Sequence, residues 1–188
     1  AASLFEQDQQ WNGAITHFLT ARRYDEALRV VKTVGEDFLK SGKWATVSKW
    51  VEALPRDMRV SDPDLILLHA QSLIHLGEAD KAVRLLTDLL YQVAGYEERL
   101  YRAKALSWRS AAFRLTGHFA EAKSDIKTVI RLLEQHGGPA DILGDAHRRI
   151  GDIYAEQGWF TLALRHMQHA LRHYPSVFDV GKMGQCPE

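Results

Sequence analysis

Cysteine is almost missing from this 188-residue chain; the one present is Cys186. A single thiol cannot close a disulfide within the chain, so no covalent framework supports the fold and nothing points to an oxidising compartment. Charge of one sign is missing as well. Twenty-four Lys and Arg balance twenty-four Asp and Glu, which argues against a surface built for nucleic acid or for an acidic membrane. No apolar run approaches the roughly 20 residues that a bilayer span requires, and no secretory leader opens the chain. A cytoplasmic setting is therefore expected. Asparagine occurs once, at Asn12. A P-loop is missing too: the nearest match, Gly35 to Gly42-Lys43, places six residues between the glycines and Trp44 where Ser or Thr is required.

What is present is a repeat. Gly77, Gly117 and Gly158 lie 40 and 41 residues apart. Five residues after each comes an alanine: Ala82, Ala122 and Ala163. Nine after come Leu86, Ile126 and Met167, and four before come Leu73, Phe113 and Tyr154. Seven before stand the small residues Ala70, Ser110 and Gly151. Gly42 begins the same register earlier, with Gly35 and Phe38 before it and Val47 and Val51 after it. A fainter unit turns at Arg22-Arg23, between Trp11, Ile15, Phe18 and Tyr24, Ala27, Val31.

Apolar residues at steps of three and four form helical stripes. A glycine between two stripes accepts the left-handed backbone that ends a helix. Small residues on both sides of that turn let two helices approach, and each pair leaves an apolar face for the next to cover. The expected fold is all-α: an α-α superhelix of stacked antiparallel helix pairs. Asp62-Pro63 reads as an N-cap followed by proline at the first helical position. Gly137-Gly138-Pro139 breaks the chain, with Asp141 in the first turn beyond it. The repeat divides the chain into N-terminal helical pairs over residues 1–55, repeats over 56–175 and a tail over 176–188, expected to be extended or disordered.

Residues 144–175 resemble the tetratricopeptide (TPR) pattern, with Gly151, Tyr154, Gly158, Phe160, Ala163, Ala170 and Pro175 on its characteristic positions. His147 stands where that pattern usually has Trp or Leu, and the 40-residue spacing exceeds the usual 34. Over residues 1–175, the stretch through Tyr24-Asp-Glu-Ala-Leu, Trp50-Val-Glu-Ala-Leu-Pro55 and Asp62-Pro-Asp-Leu resembles the TPR-like sensor region of MalT-like, ATP-dependent LuxR-family regulators. That resemblance implies transcription regulation: a non-catalytic segment that binds a small-molecule inducer or a protein partner and controls an ATP-driven switch. The ATPase motif and a DNA-binding helix-turn-helix are not found here. With the start Ala1-Ala2-Ser3, this leads us to expect a segment of a longer regulator that makes no direct nucleic-acid contact. The alternative is a generic TPR adaptor that mediates protein–protein interaction.

In TPR pairs the first helix lines a concave groove. The positions expected there include Gln71 and His75, then Lys104, Ser107 and Arg114 with Trp108 at the flank, then Asp145, Arg148, Asp152 and Glu156. They form a mixed polar groove for a small ligand or a protein segment, or else an ordinary solvated helix face. TPR domains that clamp a peptide C-terminus carry Asn where this chain has Gln71, Ala111 and Asp152, so that clamp is not expected. His166, His169 and His173 share a helical face, but no carboxylate or thiol joins them; a solvated face is the better reading and no metal is assigned. No cofactor is expected. Cys186 has no structured partner, and Asp141/Asp145 and Asp152/Glu156 are spacings common on solvated helices, so catalysis is not expected. Exposed end helices leave self-association open.

Overall fold

The computed structural model describes residues 2–93 and 98–173, with side chains described from Gln10 onward. The expected tail over 176–188, with Cys186 and Pro175, lies outside the described residues. Among the described residues all regular structure is α-helical: α1 (Ala2–Thr20), α2 (Tyr24–Lys40), α3 (Trp44–Glu52), α4 (Arg56–Ser61), α5 (Pro63–His75), α6 (Ala79–Gln92), α7 (Arg99–Leu115), α8 (Phe119–His136), α9 (Ala140–Glu156) and α10 (Phe160–His173). Two compact units emerge, residues 1–93 and residues 94–188.

The glycine turns form as their sequence requires. Gly42, Gly77, Gly117 and Gly158 hold φ between 77° and 81°, a region costly for a residue with a Cβ. After each, the next amide reaches back to the carbonyl four residues before the glycine: Lys43 to Phe38, Glu78 to Leu73, His118 to Phe113, Trp159 to Tyr154, all at 2.8–2.9 Å. The glycine's own amide donates to the residue three before it, at 3.0–3.2 Å. Together the two hydrogen bonds satisfy the last carbonyls of the helix. The fainter turn has the same bonds, Arg22 to Leu19 and Arg23 to Phe18, with Arg22 itself at φ 57°.

Two of these turns flank one helix. The α1–α2 turn at Arg22 and the α2–α3 turn at Gly42 both use α2, so what the repeat shows as two successive units is three helices with the middle one shared. Val30, Val31, Val34, Phe38 and Leu39 of α2 lie in the core with Ile15, Val47, Trp50, Val51, Leu65 and Leu68. Helix α5 packs on both α2 and α3. It approaches so closely that a Cβ on Gly35 would come within 2.9 Å of Leu68. Asp62 caps α5 as expected, accepting from the amides of Asp64 and Leu65 at 3.0 and 3.1 Å, with Pro63 at the first turn. Lys32 of α2 reaches both Asp62 and Asp64 at 2.8 Å. The hydrogen bond to Asp62, with a second to Asp64, holds its ammonium above the ordinary lysine range.

In the second unit the small positions meet as the spacing implies. The Ser110 hydroxyl, seven before Gly117, donates to the carbonyl of Ala122, five after it, at 2.8 Å. A Cβ on Gly151 would lie 3.0 Å from Met167 Cε and 3.3 Å from the Ala163 carbonyl. Arg109 of α7 grips Asp125 of α8 through two bonds of 2.8 Å.

Candidate functional site

The expected groove residues fall on two units. Gln71 and His75 stand on α5 in the first; Lys104, Ser107, Trp108 and Arg114 on α7, with Arg148 and Asp152 on α9, stand in the second. In the first unit Gln71 is half-buried and His75 exposed. The His75 ring lies parallel to the indole of Trp44, with centroids 4.6 Å apart, so its face is already in contact with a neighbour.

In the second unit α7 and α9 run alongside each other. They join through charge. Arg114 near the end of α7 pairs with Glu156 at the end of α9. Arg148 bridges Asp145 at 2.6 Å and Asp152 at 2.9 Å. Arg149 pairs with Asp145 at 2.5 Å, and its guanidinium lies over the Trp108 ring, 4.3 Å from the centroid. Trp108 therefore offers a ligand at most its other face. Burial pushes the Asp145 carboxyl up, but the Arg149 and Arg148 guanidinium groups outweigh it and hold the group below the usual aspartate range. Ser107 is 4% exposed and packs within the unit rather than on an open surface. Lys104 is half-buried on α7. The result is a polar face whose acids and bases alternate and neutralise one another.

Sequence reading picked out Trp108, Arg114, Arg148 and Asp152 but not how they are connected. Arg149, not expected on this face, completes the network. The steps from Asp145 to Arg148 and Arg149, three and four residues, carried a signal for the pairs within α9. The pairing of Arg114 with Glu156 spans 42 residues and left no local trace.

A second cluster is built from histidine. His147 on α9 is buried, and three rings of α10 surround it: His166, His169 and His173, with centroids 5.3, 5.1 and 6.1 Å away. The Nδ1 atoms of His147 and His166 are 3.1 Å apart, a hydrogen bond whose donor depends on the tautomer. Burial, then the neighbouring imidazoles His166, His169 and His173, push His147 down to about 4. Burial, then His169, Arg165 and Lys127, lower His166. The face that α10 was expected to turn to solvent is thus partly an inter-helix contact. No group of three or more His, Cys, Asp or Glu among the described residues converges as a metal-binding set.

Lys123 of α8 donates to Gln157 Oε1 at 2.9 Å and lies over the rings of Tyr154 and Trp159. Trp159 is 55% exposed. It follows the left-handed glycine at the α9–α10 turn, where its ring lies over Tyr154 with centroids 6.0 Å apart. In the first unit an open depression of about 450 Å³ is lined by Asp25, Leu28, Arg29, Lys32 and Thr33. All five belong to α2, so no second element closes it around a ligand. Among the described residues, no helix is long and apolar enough to cross a membrane.

No protein-family model matches the chain, and no curated protein sequence matches it. Solved structures do. The structure "MamA AMB-1 P212121" is similar at 19% identity and a TM-score of 0.53, covering 89% of this chain and 99% of that one. "MamA MSR-1 C2" is similar at 20% identity and a TM-score of 0.51, covering 89% and 96%. At these identities the likeness establishes the fold: a TPR-like assembly of antiparallel helix pairs. It does not extend to a MalT-like regulator.

Proposed function

We propose that this chain is a non-catalytic helical-repeat scaffold that holds a segment of a partner protein along the α7/α9 face. The observation that carries this is the row formed by Trp108 under Arg149, Arg148 between Asp145 and Asp152, and Arg114 against Glu156. Such a row is long and mixed in sign. A peptide with its own alternating charges exchanges partners with it at low electrostatic cost, whereas a single strongly charged ligand must break pairs without replacing them. Catalysis would need an acid, base or nucleophile poised for proton transfer. On this face the carboxylates Asp145, Asp152 and Glu156 are instead held by arginines.

A narrower reading makes the same face the sensor of a MalT-like regulator that takes a small inducer. It rests on Trp50-Val-Glu-Ala-Leu-Pro55 and the Asp62-Pro63 helix start, and it adds a ligand that selects one arrangement of the repeat. A thermal-shift series separates the two readings. It uses sugars, amino acids, nucleotides and mixed-charge peptides on the native chain, Trp108→Ala and Arg114→Ala. Peptides that raise the melting temperature in proportion to occupancy, and lose that effect in both variants, support the scaffold. A sugar or nucleotide that does so, with no peptide effect, supports the sensor. A cooperative melt that no compound shifts removes the α7/α9 face from both readings.

A further inference from the structure

Helix α10 has two apolar sides, and among the described residues only one is seated on a neighbouring helix. Ala163 and Ala170 are buried, and with Met167 against Gly151 they seat the helix on α9. A second stripe points away. Phe160 is 71% exposed, Leu164 61% and Leu171 58%. Steps of four and seven place these three on one line along the helix. Three large apolar side chains so exposed in a row exceed the scattered singles a surface ordinarily carries.

The preceding pair shows what this line accommodates. Counted from the turn glycine, Phe160, Leu164 and Leu171 match Phe119, Lys123 and Ile130 of α8, which are all half-buried. There α9 packs against α8, and Lys123 bonds Gln157 at the end of α9. The corresponding line on α8 therefore borders a helix, and the line on α10 offers the same geometry to another.

Charge narrows the occupant. Helix α10 contains Arg165, His166, His169, Arg172 and His173 and no acid. The three histidines turn toward His147. Arg165 and Arg172 are exposed, each one residue after a leucine of the stripe and seven apart, so they form a cationic row along one edge. We propose that the outer face of α10 is a docking site for an acidic amphipathic helix of a partner protein, with apolar residues on Phe160, Leu164 and Leu171 and carboxylates beside Arg165 and Arg172. A second copy presenting the same face would set like charges against each other. This site is separate from the α7/α9 face and stands or falls independently of it.

The test uses the full chain and two synthetic stapled helices with the same leucine stripe, one bordered by glutamates and one by lysines, followed by fluorescence anisotropy at low salt. The glutamate helix is expected to bind, and the lysine helix at least about tenfold more weakly. Leu164→Glu abolishes binding. The double variant Arg165→Glu/Arg172→Glu reverses the preference, which a general loss of folding does not imitate; circular dichroism melts confirm that each variant folds. The proposal is overturned if both helices bind alike, if neither binds, or if Leu164→Glu leaves binding unchanged. It is also overturned by a native chain that dimerises through this face, by phosphatidylserine vesicles that bind through the stripe in preference to the glutamate helix, or by a glutamate helix that binds only after residues 174–188 are deleted.

Discussion

The indole nitrogen of Trp50 donates to the side-chain carbonyl of Asn12 at 3.0 Å, tying α3 to α1 across 38 residues of sequence. Trp50 is 3% exposed, so its N–H has little access to water. Removing the acceptor strands a buried donor, which costs about 1–3 kcal/mol. Asn12→Ala should destabilise the first unit by that amount in urea titration. In an Asn12→Ala/Trp50→Phe cycle the second substitution should cost less than Trp50→Phe does alone. An additive cycle would show that the bond contributes nothing.

The turn at Arg22 is a place where the chain departs from its best residue. The bonds are those of the glycine turns, but a side chain sits at φ 57°. Left-handed backbone costs an L-residue roughly 1–2 kcal/mol, and glycine adds unfolded-state entropy of somewhat less. Arg22→Gly should raise the melting temperature slightly, whereas Gly77→Ala, at φ 81°, should lower it. A stability loss in Arg22→Gly would contradict this.

Arg109 and Asp125 form a two-bond pair whose side chains are 19% and 10% exposed. Breaking it from one side leaves a largely buried charge. Arg109→Ala should cost about 3 kcal/mol, while Arg109→Met with Asp125→Leu should come close to the native stability. Equal losses in both variants would assign the effect to packing alone.

The histidine cluster makes the second unit sensitive to acid. Folded His147 is lowered to about 4 and His166 is lowered as well, against roughly 6.5 for unfolded imidazole. The folded state therefore binds fewer protons than the unfolded one between these values. The contribution is fully present above about pH 6.5 and is lost as pH falls toward 4. The charged or titratable groups facing the pair are His169 and His173 with Arg165 on α10, and Lys127 on α8. All are basic, so nothing there compensates. The loss should be on the order of 1 kcal/mol at pH 5, allowing for solvent at the outer rings. His147→Leu should flatten the melting temperature over this window. An unchanged slope would place the acid sensitivity elsewhere.

The turns and helix pairs were legible because they are local. A glycine, a large residue four before it and small residues around it satisfy a pattern that one hairpin enforces by itself. The shared role of α2 was less visible, since the Arg22 turn carries no glycine and two overlapping units look like two successive ones. The α7/α9 residues could be placed on a face by counting, but not paired: Arg114 finds Glu156, and Arg149 finds Trp108, only when two helices are brought together. His147 was noticed as an unusual residue at its position, and its ring of three histidines explains it. Four similar rings exchange contacts there where the pattern ordinarily has one large apolar side chain. The exposed stripe of α10 has the same periodicity as a buried face, and periodicity does not tell which side has a neighbour.

Because α2 serves as the second helix of one hairpin and the first of the next, the opening three helices cannot be inherited piecemeal. Cutting at Gly42 divides a hairpin, and cutting at Arg22 leaves Ile15 missing from a shared core. From α5 onward every hairpin has its own two helices and its own glycine. The first three helices, by contrast, form a single heritable block around one shared core.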